Sequence, residues 1–460
     1  MTHDEFLLQL QPKEMQAGLF DFKIDGIVVY KLIRRSLIES GLRKLGVKVM
    51  NKKQTYKTID LIKSTILSAW QLFKIRFSNR TASTIFISFP RIDKVGGRYM
   101  DKFVDPLVSF CFNNDDYIIL DPGQNHIHAE PRLHHKQCIR TEWFIAKSLY
   151  YSKLFWKSFY KSHKDCLDSF CEAVFSVFGD CTLSKKDIIR SILFCLQQAY
   201  DYERFFLHLK TKRILGPSWY FIRLYIVAAH RLGIQSFELQ HGIVYGLTKD
   251  NSGYQPEDSA PDYFLAYGEG NTANIADPEK IVNIGWAFGE YVSSIKEFVQ
   301  YNEQDVLVIS EPTVTDKMID DTLFLAKNNP KSHFYLRPHP NERISELQKN
   351  KLESLPNAHW QDNHINIAIV MQGFTHVVGE NSTVLYEALA AGKKVGKLNF
   401  GGLHPRYLKE EDKECFWEVC DQETFSLFLN EDISKKRTKS IYSPFNKKLF
   451  MEITGIKDNI

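Results

Sequence analysis

His376-Val377-Val378-Gly379-Glu380-Asn381-Ser382-Thr383-Val384-Leu385-Tyr386-Glu387-Ala388-Leu389 passes from an apolar run into small polar residues and then into a segment of helical spacing. This reads as a strand at His376 to Val378, a turn, and a helix from Ser382 to Ala391 whose first N–H groups have no intrahelical acceptor. In an α/β domain ligands gather at the carboxyl ends of strands, and a helix start of this kind suits a phosphate. A second junction, Arg337-Pro338-His339-Pro340, follows a strand at His333 to Leu336. Together the two junctions point to a phosphate-bearing donor such as a nucleotide-sugar.

Outward from these junctions the same alternation continues. Asp305-Val306-Leu307-Val308-Ile309-Ser310 is a strand run, followed by helices around Lys317 to Lys327 and Ser345 to Leu355, a strand at Val395 to Leu398 and a helix from Gln422 to Leu429. Strands at Ser83 to Phe89, Tyr117 to Leu120, Ile234 to Leu239 and Asp262 to Ala266, with a helix from Trp219 to Leu232, give the first half a similar pattern. A mostly helical, aromatic-rich stretch is predicted from Thr141 to about Leu215. Short strands alternating with helices predict parallel sheets with crossover helices. The expected boundaries are residues 1–290 for a first Rossmann-like domain, 300–425 for a second, and 426–460 for a tail packing back on the first.

At 460 residues, with 44% hydrophobic and 25% charged composition, the chain can fill two or three domains. It opens Met1-Thr2-His3-Asp4-Glu5, without a basic then apolar leader, and has no apolar run long enough to span a bilayer, so the expectation is a cytoplasmic protein. The eight cysteines form no CxxC pair and read as reduced thiols. A net charge of +4 is too small by itself to imply a nucleic-acid partner, and none is expected. Its distribution is uneven: Lys31 to Arg80 holds thirteen Lys or Arg against Glu39 and Asp60, locally 13 − 2 = +11. Within it, Asp60 to Lys74 places apolar residues at helical spacing beside cations, which suits either a peripheral contact with the inner membrane leaflet or a helix packed on the first domain.

Glu238-Leu239-Gln240-His241-Gly242-Ile243, then Gly253-Tyr254 and Pro261-Asp262-Tyr263-Phe264-Leu265-Ala266-Tyr267-Gly268, resembles the central signature of bacterial transferases that build capsule and lipopolysaccharide glycans. Arg337 to Pro340 and the Asn381-Ser382-Thr383 to Lys393 stretch resemble the donor-site motifs of the same group, which includes β-Kdo transferases, sialyltransferases, polysialyltransferases and teichoic acid glycerophosphotransferases. The resemblance covers residues 215 to 400 and implies the GT-B fold, two Rossmann-like domains about a cleft. It also implies that Arg337, His339 and Pro340 lie at the nucleotide and its phosphate, that Asn381, Ser382 and Thr383 take phosphate oxygens, and that Glu387 meets the ribose hydroxyls. The N-cap role of Asn381 or Ser382 is compatible with phosphate binding. His241 is expected to reach the cleft from the first domain. The relatives carry a further histidine a few residues beyond the Gln-His-Gly element, where this chain has Tyr245 and then Lys249-Asp250-Asn251-Ser252.

The implied function is glycosyl transfer from a nucleotide-sugar to a surface glycan or its lipid-linked primer. A CMP-linked acidic sugar, Kdo or sialic acid, is the leading donor; UDP-sugars and CDP-glycerol are alternatives, as are a sugar-nucleotide epimerase and a non-catalytic glycan-binding scaffold. Such a reaction needs a carboxylate or histidine near the anomeric carbon. The candidates follow the first strand, in Arg91-Ile92-Asp93 and then Gly96 to Pro106, where Asp101 and next Asp105, four residues apart, are favoured with His241; Asp121 and Glu269 are reserves. His126, His128, His134 and His135 with Glu130 match no standard zinc spacing, so neither a metal nor a separate cofactor is expected.

Overall fold

The computed structural model describes residues 3–44, 58–90, 92–112, 116–123, 127–179, 183–242, 260–268, 278–295, 298–311, 314–340, 342–380, 382–400, 414–432 and 442–457. Arg91, His126, residues 243–259, Glu269 and Asn381 lie outside them.

Two short hairpins stand apart from the main sheets. β1 (Lys23–Ile24) pairs with β2 (Ile27–Val28) near the N-terminus. β4 (Ile92–Val95) pairs with β5 (Arg98–Asp101), turning through Gly96 and Gly97 at φ 56° and 79°, where a residue with a side chain would be strained. The first main sheet contains β3 (Thr84–Ile87), β6 (Tyr117–Asp121), β7 (Cys138–Arg140), β8 (Arg213–Pro217), β9 (Gln235–Leu239), β10 (Tyr263–Ala266) and β11 (Ile281–Asn283). All its pairings are parallel, in the order β11-β10-β9-β8-β3-β6-β7. Its central strands are buried along their whole length, which is why they read as unbroken apolar runs. The stretch read from sequence as helical to about Leu215 breaks into helices 142–162, 164–178 and 185–209, and its end is β8.

The second sheet repeats the plan with β12 (Val306–Ile309), β13 (Phe334–Arg337), β14 (Ala358–Trp360), β15 (His376–Gly379), β16 (Lys394–Leu398) and β17 (Trp417–Val419), all parallel in the order β14-β13-β12-β15-β16-β17. In each sheet the earliest strand is central and the winding reverses beside it, between β3 and β8 and between β12 and β15. These are the doubly wound switch points at which ligands bind.

The two sheets share one apolar cluster that runs from Phe86, Leu239 and Leu265 to Leu307, Val377 and Leu385. The chain crosses between them twice. On the way out, Tyr301 N–H donates to Gly373 O at 3.1 Å, and a Cβ on Gly373 would lie 1.9 Å from Val299 O. On the way back, Ser443 N–H donates to Tyr267 O and Trp286 N–H to Ser443 O, while a Cβ on Gly285 would lie 2.0 Å from Pro444 O. Only glycine permits these approaches. The helix Lys447–Thr454 then packs on the helix Asp105–Cys111 of the first domain. Two Rossmann-like domains about a cleft, preceded by helices 3–16, 29–44 and 58–76, constitute the GT-B fold.

Candidate active site at the domain junction

The second domain supplies two strand ends. At the end of β13, Arg337 is 6% exposed; its Nη2 donates to Ile365 O at 2.5 Å, while its Nη1 is enclosed without a partner among the described residues. Burial pulls the guanidinium down to about 10, with Asp362 and Asp93 opposing that shift. Beyond it, the His339 backbone N–H donates to the Glu342 carboxylate, whose other oxygen accepts from Ser310 Oγ at 2.8 Å and from Thr315 Oγ1. Glu342 thereby ties the loop after β13 to the loop after β12 and fixes the backbone beneath His339. Pro340 is exposed on this turn.

At the end of β15, Glu380 has Oε2 enclosed and unpartnered among the described residues. Ser382 is the N-cap of the helix Thr383–Ala390, its Oγ accepting from Val384 N–H at 3.3 Å, and Thr383 is exposed at the helix start. Capping occupies one lone pair of Ser382 and leaves Thr383 facing outward. Glu387, one turn further, is buried, and its Oε1 accepts from Lys102 Nζ of the first domain at 3.0 Å.

From the first domain, the turn after β9 approaches this helix start. Gln240 is buried and locks the turn: its Nε2 donates to Gly242 O at 2.9 Å and its Oε1 accepts from Tyr267 N–H at 2.6 Å. A Cβ on Gly242 would lie 3.8 Å from Thr383 Cγ2, so the Gln240-His241-Gly242 element abuts the helix Thr383–Ala390. His241 is half-buried, its ring 6.2 Å from that of Phe89, which follows β3. The structure therefore brings His241, Thr383, Lys102 and Glu387 to one junction.

Asp101 and Asp105 do not join them. Both are fully buried. Asp101 Oδ2 accepts from Phe89 N–H and Oδ1 from Phe103 N–H, at 2.5 and 2.7 Å, while Asp105 Oδ2 accepts from Asp101 N–H at 2.7 Å. These carboxylates knit the β4–β5 hairpin to β3, and neither has a surface from which to take a proton from an acceptor hydroxyl. As the chain stands, both carboxylates are engaged in holding the hairpin. Burial drives both acids up, Asp105 to about 8 despite Arg132 Nη2 at 3.6 Å. Arg132 also reaches Asp121 Oδ2, at 3.4 Å, and His128 bridges Asp121 and Glu142 at 3.0 and 2.7 Å. His134 bonds Ser109 and Tyr117, and His135 pairs with Glu130. The described histidines thus serve separate neighbours, and no group of three potential ligands among the described residues is placed to hold a metal.

Lys102 and Glu342 were not singled out from sequence. Lys102 adjoins the candidate Asp101, but its partner is 285 residues away. Glu342 lies three residues past His339, a spacing at which a turn carboxylate can bond back to the backbone.

No protein-family model matches the chain, and no curated protein does. Among solved structures, UDP-GlcNAc 2-epimerase from Neisseria meningitidis bound to UDP-GlcNAc is similar at 14% identity over 80% of this chain and 98% of that one, with a TM-score of 0.46. The UDP-GlcNAc 2-epimerase from Methanocaldococcus jannaschii is similar at 10% identity over 82% and 100%, TM-score 0.49. The lipopolysaccharide outer core galactosyltransferase WaaB, in its apo form, is similar at 11% identity over 81% and 99%, TM-score 0.43. At these identities and scores the likenesses carry no argument about chemistry, which rests on the residues themselves.

Proposed function

We propose that this chain is a glycosyltransferase that takes a sugar from a nucleotide donor seated at the carboxyl edge of the second sheet and passes it to a glycan or lipid-linked glycan acceptor on the first. One observation carries the reading. Arg337 Nη1 and Glu380 Oε2, a donor and an acceptor without partners among the described residues, are both enclosed at strand ends of one sheet. An unsatisfied buried polar group costs about 1–3 kcal/mol, so the pair favours a ligand carrying an anion together with hydroxyl or amino donors. A nucleotide-sugar has both.

In the proposed reaction the bond from the anomeric carbon to the donor phosphate breaks, the nucleotide leaving with the electron pair. The acceptor hydroxyl forms the new C–O bond and passes its proton to the His241 imidazole. Arg337, His339 and the start of the 383–390 helix offset charge on the leaving phosphate. His241 faces them from the first domain and is the group we assign beside the reacting centre. Glu387 contacts the ribose when Lys102 yields one of its oxygens. Neither a metal nor a further cofactor enters this scheme. The donor we favour is CMP-linked Kdo or sialic acid, supported by the resemblance of the Arg337–Pro340 and Asn381–Thr383 elements to those transferases.

Thermal unfolding of the full chain with CMP, CDP, UDP, GDP and ADP tests it, because a ligand of the folded state raises apparent stability by RT ln(1 + [L]/Kd). Stabilisation by CMP above the others, with sugar transfer from the CMP-sugar to a glycan, is the expected result. A UDP or CDP preference overturns the donor assignment. Conversion of the sugar without any acceptor makes the chain an epimerase, and silence towards every nucleotide removes the enzyme reading.

A further inference from the structure

The helix Thr58–Arg76 packs with its polar side inward. Its buried residues are Ser64, Ser68 and Ile75. Ser68 Oγ donates to Arg140 O at 2.7 Å and accepts from Trp143 N–H at 3.1 Å; Gln71 Oε1 accepts from Arg140 N–H at 3.0 Å. Opposite that face, at spacings of three and four, run Ile59, Ile62, Ile66, Trp70, Phe73 and Phe77, with Trp70 54%, Phe73 61% and Phe77 75% exposed. A helix on a water-soluble domain ordinarily turns such a stripe to the core.

The neighbouring helix Glu142–Ser162, packed beside it, repeats the arrangement. It buries Glu142, Phe144, Ser148 and Ser152 and exposes Trp143, Tyr150 and Leu154, Tyr150 to 66%. Exposed apolar side chains gathered on two adjacent helices mark an interaction site. Its charge says what covers it. The two helices carry seven cations, of which Lys147 is engaged by Asp201 at 2.6 Å; the other six are Lys63, Lys74, Arg76, Lys153, Lys157 and Lys161. Against them stands Asp60, since Glu142 is buried with His128. Lys74 Nζ lies 3.4 Å from the centroid of the Trp70 ring, a cation carried over an exposed aromatic. Aromatic and aliphatic side chains in a stripe, bordered by lysines, fit the headgroup boundary of an anionic bilayer. No described helix is long and apolar enough to cross one.

We propose that helices 58–76 and 142–162 form a face that docks flat on an anionic phospholipid surface, the aromatic stripe entering the headgroup boundary and the lysines meeting lipid phosphates. The face belongs to the first domain and does not depend on the nucleotide site, so the two readings fail separately.

The test is co-sedimentation of the full chain with phosphatidylcholine vesicles, with and without phosphatidylglycerol, at low and high salt. Partitioning that requires phosphatidylglycerol and weakens with salt is expected. Trp70→Ser with Phe73→Ser, and separately Lys63→Glu with Lys153→Glu, should each lower partitioning by about tenfold or more. Circular dichroism and nucleotide response should stay unchanged. Failure to bind anionic vesicles overturns the proposal, as does binding that neither pair of substitutions weakens. A dimer seen by sedimentation equilibrium and dissolved by the Trp70 and Phe73 changes would assign the face to a second copy and also overturn it.

Discussion

Lys102 Nζ lies 3.0 Å from Glu387 Oε1, and this bond ties the loop beyond the β4–β5 hairpin of the first domain to the helix Thr383–Ala390 of the second. The partners are unequally buried, with the lysine side chain 25% and the glutamate 7% exposed. Their single substitutions should therefore be unequal. Lys102→Met strands a buried carboxylate and should cost about 1–3 kcal/mol. Glu387→Gln leaves a lysine that water reaches and should cost under about 1 kcal/mol. Chemical denaturation of both variants and the double variant measures the coupling; equal single costs with no coupling would show that the pair does not hold the domains.

Arg337→Met should separate binding from stability. Nucleotide affinity should fall by roughly tenfold to a hundredfold, from the loss of a charge-assisted bond of about 1.5–3 kcal/mol. The unliganded protein should lose little stability, because the lost bond to Ile365 O is offset by removal of an enclosed donor that has no partner among the described residues. Nucleotide titration together with urea unfolding checks both; an unchanged affinity would remove Arg337 from the phosphate site.

Glu342→Ala should free Ser310, Thr315 and the His339 backbone at once. The expected loss is about 1–3 kcal/mol of stability with a fall in turnover. Glu342→Gln, which keeps one acceptor oxygen, should recover part of both. Full turnover in the alanine variant would mean that the turn around His339 needs no such support.

Asp105 gives a pH dependence of definite sign. Folded, burial keeps it protonated to about 8 against the opposing Arg132, with Asp101 and Asp121 adding to the rise. Unfolded, it ionises near the ordinary value of about 3.9. Across that window the folded state holds the extra proton, so the stability contribution present at low pH is lost as pH rises through about 8. Denaturant unfolding at about pH 5 and about pH 8 should show Asp105→Asn gaining on the wild type as pH rises. Parallel behaviour of the two proteins would refute the assignment.

The sequence reading recovers the sheets best where apolar runs are long. Val306 to Ile309 and His376 to Gly379 are buried at every position, and their composition announces it. β14 and β17, three residues each, leave almost no pattern. That Arg337 ends a strand and Ser382 opens a helix was legible from the apolar runs before them. For the first-domain carboxylates the spacing of four residues says which groups share a side, not whether that side faces a cleft or the interior. Asp101 turned inward because Phe89 and Phe103 offered backbone N–H groups there. Helix 58–76 shows the same limit: its periodicity was plain, yet its serines found partners at Arg140 and sent the apolar stripe outward.

The two close approaches at Gly373 and Gly285 lie one under each passage of the chain between the domains. At both, a backbone oxygen stands where a Cβ would be, so a side chain at either position would lift a linking segment off its seat while leaving every residue at the domain junction unchanged.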